Sequence, residues 1–395
     1  MNWKKDLAVL SCGVFLSGAS YTMIVPFLPL YLIDLGVSGA DVRLWSGIVF
    51  GATFLVSGIL SPYWGRQADR AGKRRMVIRA GLSLAAVYFL GSLVRSPLEL
   101  LGVRVLQGVA VGFVAASMAI ISSSLPEDKI GFGLGIMQTG SLIGNILGPF
   151  MGGMLAHFFG IRTSFQVAAA VVFIATAAVR ILVAEPPLKP GGTAGSVASD
   201  LRAALQNYPL RLMLGLLFTV QMVAIMLQPL ITLYIAELNA SFAGAEVTAG
   251  IVFSLAGIAG AIAAPLWGNA GQRRGFWGML SIAMTGAGAA VAAQFFSTDI
   301  IRFAGLHFVF GLFLAGTIPA INSIIVQSTD ESFRGRAFGL AMSANQLGSM
   351  IGPLLGGAIS SVAGIRPVFA MGGLLMMLIG LTFRKWAGSV AAEQD

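Results

Sequence analysis

The chain is 395 residues long, 56% apolar and only 10% charged, with a mean hydropathy of +0.85. A soluble domain of this size needs far more charge to cover its surface, so the composition excludes an ordinary water-soluble enzyme and points to a membrane protein. The net charge of +9 is no sign of a nucleic-acid partner, because the basic residues sit in short loops between apolar runs, as the positive-inside rule describes.

A helix needs about 20 mostly apolar residues to span the hydrocarbon layer. Such stretches are predicted at 7–33, 44–64, 76–94, 98–122, 131–155 and 164–184, and again at 209–235, 247–267, 277–296, 299–325, 336–360 and 366–384. With short loops they nearly fill the chain and leave no room for a separate soluble catalytic domain. Lys4 and Lys5 resemble the basic start of a signal peptide, but the apolar run that follows exceeds the roughly 7–15 residues of a signal-peptide core and reads as a retained first helix. Cys12 is the only cysteine, so no intramolecular disulfide can form. With both termini in the cytoplasm, every Lys and Arg falls on that side except Arg43, Arg95, Arg162, Arg302, Arg366 and the intrahelical Arg104. The opposite topology inverts the bias.

The longest polar stretch lies at the midpoint and is rich in Pro and Gly (Pro186, Pro187, Pro190, Gly191, Gly192). It reads as a cytoplasmic linker, 185–208, between an N-terminal bundle, 1–184, and a C-terminal bundle, 209–395. The halves repeat. A shift of about 203 residues places Pro26 on Pro229, Tyr31 on Tyr234, Asp34 on Glu237, Gly47-Ile48-Val49-Phe50 on Gly250-Ile251-Val252-Phe253, and Gly108 on Gly311. One further residue of offset places Gly144, Gly148, Pro149, Gly152 and Gly153 on Gly348, Gly352, Pro353, Gly356 and Gly357. The expected fold is an all-α membrane protein of twelve transmembrane helices in two pseudo-symmetric six-helix bundles, with a midplane site between them.

Three motifs carry the functional reading. The loop after helix 2 reads GRQADRAGKRR, Gly65 to Arg75; its glycines allow a tight turn, and Asp69 can sit near the positive N-terminal end of another helix. Simple positive-inside charge around a turn is the alternative. Helix 4 carries RVLQG, Arg104 to Gly108. A charged side chain there costs roughly 2.5–3.5 kcal/mol or more, so it faces a partner or a wet cavity, unless it is a snorkelling or structural arginine. In helix 5, Gly140, Gly144, Gly148 and Gly152 form a groove for close helix approach, Gly153 lies beside it and Pro149 removes a backbone donor. Helix 11 repeats this pattern, so generic packing stays open as its explanation.

These motifs, with PFLPLYL (Pro26 to Leu32), WSGIVF (Trp45 to Phe50) and SPYWG ahead of the first loop, resemble the major facilitator superfamily, and within it the multidrug resistance group of twelve-helix drug:proton antiporters. Gly65, Asp69, Arg70, Gly72, Lys73 and Arg74 match the superfamily signature between its second and third helices, with Gln67 in place of the usual Leu. The resemblance implies a conformational latch from Asp69 to helix 11. The counterpart loop has Gln272 where Asp69 would fall, which confines the strong form to one half. RVLQG resembles a second signature, and the helix 5 glycines resemble the one that marks exporters working by antiport. The implied protein is a monomer in a bacterial inner membrane that works by alternating access. Its partners are protons, the lipid bilayer and a small-molecule substrate, it binds no nucleic acid, and the proton gradient stands in place of any cofactor or metal.

A proton-coupled exporter needs a group that titrates within reach of both sides, and no Asp or Glu lies clearly mid-helix. Asp34 and Glu237 are repeat-related and close the outer ends of helices 1 and 7. His307 occupies in helix 10 the place of Arg104 in helix 4, and is the membrane-embedded side chain whose unperturbed pKa lies near neutrality. The expectation is that Asp34 carries the proton and Arg104 modulates it, with Glu237 or His307 next. Solvated interfacial carboxylates and a structural histidine are the competing readings. The resemblance implies a cavity lined by helices 1, 4, 5, 7, 10 and 11. Its candidates are Gln138, Asn145, Gln221, Gln228, Asn322 and Asn345 with Tyr21, Tyr31 and Phe113, each of which could instead serve packing. An apolar pocket with a few amides suits lipophilic or amphiphilic molecules. The missing mid-membrane acid favours neutral, amphiphilic or anionic substrates over strongly cationic ones.

Other classes fare worse. No HExxH, metal-ligand cluster or Walker-type loop occurs, so neither a metalloenzyme nor an ATP-driven pump is expected. An exporter of a metabolite, sugar or lipid is the second reading. A non-transporting receptor is the third; the short loops and short tail after Lys385 argue against it.

Overall fold

In the computed structural model, residues 3–126, 129–185, 197–239, 241–242 and 244–392 are described, with side chains except at Pro62, Arg66, Asp69, 197–200, 331–332 and 384–392. Among the described residues every regular element is helical. The long helices are α1 (Trp3–Asp34), α2 (Asp41–Ala71), α3 (Lys73–Leu93), α4 (Pro97–Ser124), α5 (Ile130–Phe159) and α6 (Ile161–Leu182), then α7 (Tyr208–Asn239), α8 (Ala245–Arg274), α9 (Phe276–Phe296), α10 (Ile300–Gln327), α11 (Glu331–Ala363) and α12 (Ile365–Ala392). Among the described residues, eleven of these contain a stretch long and apolar enough to cross a membrane. α11 has the length, but its glycines and serines make it less apolar. The chain is a multi-pass membrane protein of twelve long helices, as the hydropathy pattern predicts.

Helix ends follow from local chemistry. Ser96 caps α4 by accepting from the Glu99 N–H at 3.3 Å, while Glu99 Oε2 accepts from the Arg95 N–H at 2.7 Å, a reciprocal cap set up by the Ser-x-x-Glu spacing. The repeat-related Asp299 caps α10 through the Arg302 N–H at 2.9 Å. The stretch read as a loop after Gly65 is instead helical: α2 runs on to Ala71 because nothing before Gly72 breaks it. Gly72 alone makes the turn, at φ +103°, and its counterpart Gly275 does the same at φ +86°. That left-handed conformation is open to glycine and strained for other residues.

Among the described residues, three spans are interrupted within their length, while α9 only ends in a 3-10 turn at Gln294–Phe296. α1 bends through a short 3-10 turn at Val25–Phe27, where Pro26 removes a backbone donor. α4 breaks between Val109 and Phe113, and α10 between Leu314 and Thr317. Hydropathy alone predicted each of these as one uninterrupted helix.

The chain forms two compact units: Met1–Thr193 with Ala243–Ser254, and Ala194–Phe242 with Leu255–Asp395. The first turns of α8 therefore group with unit 1. Of the stretch read as a linker, residues 186–196 lie outside the described residues, and Val197–Gln206 is a helix. In unit 1, α1 packs along α5, α3 along α6 and α2 along α4; in unit 2, α7 packs along α11 and α9 along α12. The glycine grooves explain the closest of these pairs. A side-chain carbon on Gly144, Gly148 or Gly152 would strike the carbonyl of Phe15, Ala19 or Met23 on α1, and one on Gly348, Gly352 or Gly356 would strike that of Phe218, Met222 or Met226 on α7. The two sets of partners lie 203 residues apart and the glycines 204, the two offsets read from the repeat. Gly153 lies to one side of the groove, against the Glu246 carbonyl in the first turn of α8.

Candidate functional site

The break in α4 creates the candidate site. Gly112 takes φ +116° and separates Pro97–Val109 from Phe113–Ser124. On α3, Arg79 reaches the break and donates to the carbonyls of Val109 at 3.0 Å and Val111 at 2.7 Å. Helix ends leave such carbonyls without intrahelical partners, and Arg79 supplies them. No side chain caps the start of the second half at Gly112.

Beside the break lies a cavity of about 350 Å³ within unit 1. Its polar lining is Ser17, Tyr21, Thr53, Ser61, Gln107, Ser141 and Asn145; Leu84, Phe113 and Val114 add apolar walls, and Ala110 to Ala115 bring the broken backbone to its surface. No lining residue is a carboxylate. The cavity offers hydroxyls, amides and backbone N–H groups within an apolar shell, a composition suited to small-molecule binding.

Arg104 stands next to this cavity. It is buried, with Nη1 donating to Gln107 Oε1 at 2.5 Å and its guanidinium 5.7 Å from the Phe50 ring centroid. Thr53 Oγ1 donates to the Arg104 carbonyl at 3.1 Å and ties this turn of α4 to α2.

The remaining candidates are scattered. Tyr21, Phe113 and Asn145 line the cavity. Tyr31 is committed elsewhere: its hydroxyl donates to the Gly91 carbonyl at 3.0 Å, and its ring lies 5.6 Å from that of Phe165. Gln138 is exposed, and Gln221, Gln228, Asn322 and Asn345 are half-buried in unit 2. Asp34 is exposed at the end of α1, where Arg162 and Glu246 are the charges that act on it. Glu246 is also held by His157, Nδ1 to Oε1, at 2.9 Å. Glu237 is exposed near the end of α7. His307 is buried in α10 between Phe303 and Phe310, with ring centroids at 5.9 and 5.5 Å.

In the latch motif, Gly65 and Arg70 are exposed on α2 and Gly72 makes the turn, while the side chain of Asp69 lies outside the described residues. Arg74 opens α3 and is tied to the end of α6: its N–H donates to Glu185 Oε1 at 3.1 Å, and its guanidinium donates to the Arg180 carbonyl.

Four residues central to these arrangements were missed in the sequence. Gln107 was within reach, since it follows Arg104 by three residues and shares its helix face. Arg79 and Glu185 gave no signal, because their partners lie in other helices. Ser141 reads as one more small polar residue in a glycine-rich helix.

Comparison with known proteins agrees with the fold. The family profile described as Major Facilitator Superfamily matches residues 10–303 and 213–392. The chain is 34% identical over 375 residues to the multidrug resistance protein MdtG of Salmonella paratyphi B, covering 94% of this chain and 92% of that protein. Among solved structures, a bacterial homolog of the human lysosomal transporter Spinster, inward-facing and occupied, superposes with a TM-score of 0.81 at 16% identity over 97% of this chain and 96% of that one. The nucleoside transporter NupG superposes with a TM-score of 0.80 at 16% identity, over 97% and 98%. At these identities the two structures speak to fold alone.

Proposed function

We propose, since the chain belongs to the Major Facilitator Superfamily, that this transporter is a proton-coupled antiporter that exports lipophilic or amphiphilic small molecules, drugs among them, from a bacterial cell. The observation that carries this reading is kinship along nearly the whole chain with proteins named for multidrug resistance. The cavity supports it: apolar walls with a few amides and hydroxyls accept varied shapes more readily than a site built around many fixed polar contacts. The glycine face of α5, pressed onto α1 and onto the first turns of α8, supports the antiport assignment.

In this reading the chain works as a monomer in the inner membrane, with both termini cytoplasmic in keeping with the Lys and Arg bias. It needs no cofactor, because the proton gradient supplies the energy. Asp34 takes up and releases the proton beside Arg162 and Glu246, and Arg104 modulates the cycle from within the span. Glu237 and His307 are secondary, His307 because its ring is sandwiched by aromatic neighbours on its own helix. Expression in an efflux-deficient bacterium tests the proposal. Lower accumulation of a lipophilic dye, restored to the control level by a protonophore, is the expected result; unchanged accumulation across a broad dye panel would count against drug export.

A further inference from the structure

We propose that His157 and Glu246 form one proton-accepting pair coupled to Asp34, so that His157 is a positioning residue: it sets the outside acidity at which Asp34 exchanges its proton. The proposal deepens the export reading and rests on it only for the part Asp34 plays in transport.

Backbone packing puts the pair together. α5 and the first turns of α8 approach closely at glycines, where a side-chain carbon on Gly153 would strike the Glu246 carbonyl and one on Gly250 that of Pro149. Ser254 Oγ donates to the Ile146 carbonyl at 2.5 Å and fixes the register of the two helices. One turn beyond Gly153, His157 follows on the same face of α5 and meets Glu246, Nδ1 to Oε1, at 2.9 Å. All these residues belong to unit 1, as do Asp34 and Arg162.

The contact is built to take up a proton. An ionised carboxylate only accepts hydrogen bonds, so Nδ1 carries the hydrogen and Nε2 is the nitrogen left to be protonated. The Glu246 side chain is 14% exposed and that of His157 45%, which leaves the imidazole open to water and the carboxylate largely sheltered. Histidine is the side chain whose ordinary pKa puts its change of charge between about pH 5 and 8. Protonation turns the hydrogen bond into a charge-assisted ion pair.

The charge on Glu246 reaches further, since Glu246 and Arg162 both act on Asp34. Few other charges face the group. His157 is the only titratable side chain in Ile130–Phe159, and Phe113–Ser124, packed on it, has none. α6 brings Arg162 at its start, which also donates to the Val94 carbonyl at 3.1 Å, and Arg180 at its far end. α1 brings Asp34, and α2, packed on the end of α1, begins with Asp41 and Arg43. With His157 neutral and both carboxylates ionised, Asp34, Glu246 and Arg162 hold one more negative charge than positive. A single proton cancels that excess on Asp34 or on His157, so the two positions titrate as a coupled set. A protonated His157 offsets the field of Glu246 and favours loss of the proton from Asp34; a neutral His157 leaves that field bare and favours its retention.

The test begins with imidazole NMR on the purified full chain, isotope-labelled at its two histidines, in nanodiscs of zwitterionic lipid. The His157 signal is assigned by its loss in His157→Gln. We expect its titration midpoint to fall by about one pH unit in Glu246→Gln and by about half a unit in Asp34→Asn, at the lower end of what close charges produce. The coupling is reciprocal, so proteoliposomes should show it from the other side. As outside acidity is varied, the pH of half-maximal dye transport should rise by about half a unit in His157→Gln and fall by as much in His157→Arg. Glu246→Gln should move it in the same direction as His157→Arg, because both remove the bare carboxylate. A His157 signal that does not titrate, a midpoint unmoved by Glu246→Gln or by Asp34→Asn, or equal transport profiles for His157→Gln and His157→Arg would each overturn the proposal. The NMR arm reads charge coupling without transport. Unmoved midpoints beside intact pH-driven export would leave the export reading standing, and absent export beside shifted midpoints would overturn that reading and support the coupled pair.

Discussion

Arg79 lies over the indole of Trp64, its guanidinium carbon 3.6 Å from the ring centroid, while its terminal nitrogens hold the carbonyls of Val109 and Val111. One side chain thus joins α2, α3 and the break in α4. The indole face and the two carbonyls are electron-rich, and all three are met by one delocalised cation. Arg79→Leu would leave both carbonyls unpaired at the break, and hydrogen bonds to a charged group are worth about 1.5–3 kcal/mol each. We expect a clear drop in thermal stability, with Arg79→Lys intermediate because an ammonium cannot reproduce the fork. An unchanged melting temperature for Arg79→Leu would remove this residue from the account of the break.

Tyr31 and Tyr234 provide a matched pair. Tyr31 donates to the Gly91 carbonyl at 3.0 Å and Tyr234 to the Ser297 carbonyl at 2.9 Å, while Phe165 and Phe369 lie against their rings. Tyr31→Phe and Tyr234→Phe should each destabilise by about 1 kcal/mol, the usual net worth of one such bond plus the carbonyl left bare. Transport rates should change little in either case. A large transport loss at normal stability in Tyr31→Phe would return this residue to the substrate path.

The glycines of α5 can be separated by their surroundings. Gly148→Ala places a methyl against the Ala19 carbonyl and the Thr22 hydroxyl, whereas the space around Gly102 on α4 is open. Overpacking of this kind costs about 1–3 kcal/mol, while alanine in place of an unobstructed helical glycine gains up to about 1 kcal/mol. We therefore expect Gly148→Ala to lower, and Gly102→Ala to hold or raise, the melting temperature in the same detergent.

At the Gly72 turn, Glu185 accepts from the Arg74 N–H at the start of α3. A carboxylate at a helix start is worth about 0.3–1 kcal/mol when exposed, so Glu185→Gln should have a small effect alone. Glu185→Ala and Arg74→Ala are expected to be non-additive in a double-mutant cycle, since both untie the end of α6 from α3. Strict additivity would show that the two ties, Glu185 to the Arg74 N–H and the Arg74 guanidinium to the Arg180 carbonyl, act independently.

Much of this architecture is legible in the sequence because it rests on long-range regularities. Twelve apolar runs and a repeat that pairs Tyr31 with Tyr234 and Gly148 with Gly352 survive local variation. The helix breaks do not announce themselves, since Ala110, Val111 and Gly112 are as apolar as the helix around them, and a hydropathy window passes over them. The break is upheld from outside by Arg79, whose arrival depends on how α3 packs. The latch motif misleads in the opposite sense: its charge density reads as a loop, yet helix geometry continues until a glycine with positive φ ends it. Glu185 likewise reads as the start of a polar linker, and only the folded chain places it over the Gly72 turn.

The most direct test of the central claim is transport by the purified protein in proteoliposomes with an imposed pH gradient and a lipophilic dye. The account predicts uphill dye movement that collapses on adding a protonophore and falls sharply in Asp34→Asn. Movement that only equalises concentrations and ignores the gradient would contradict proton coupling and leave a facilitator in its place.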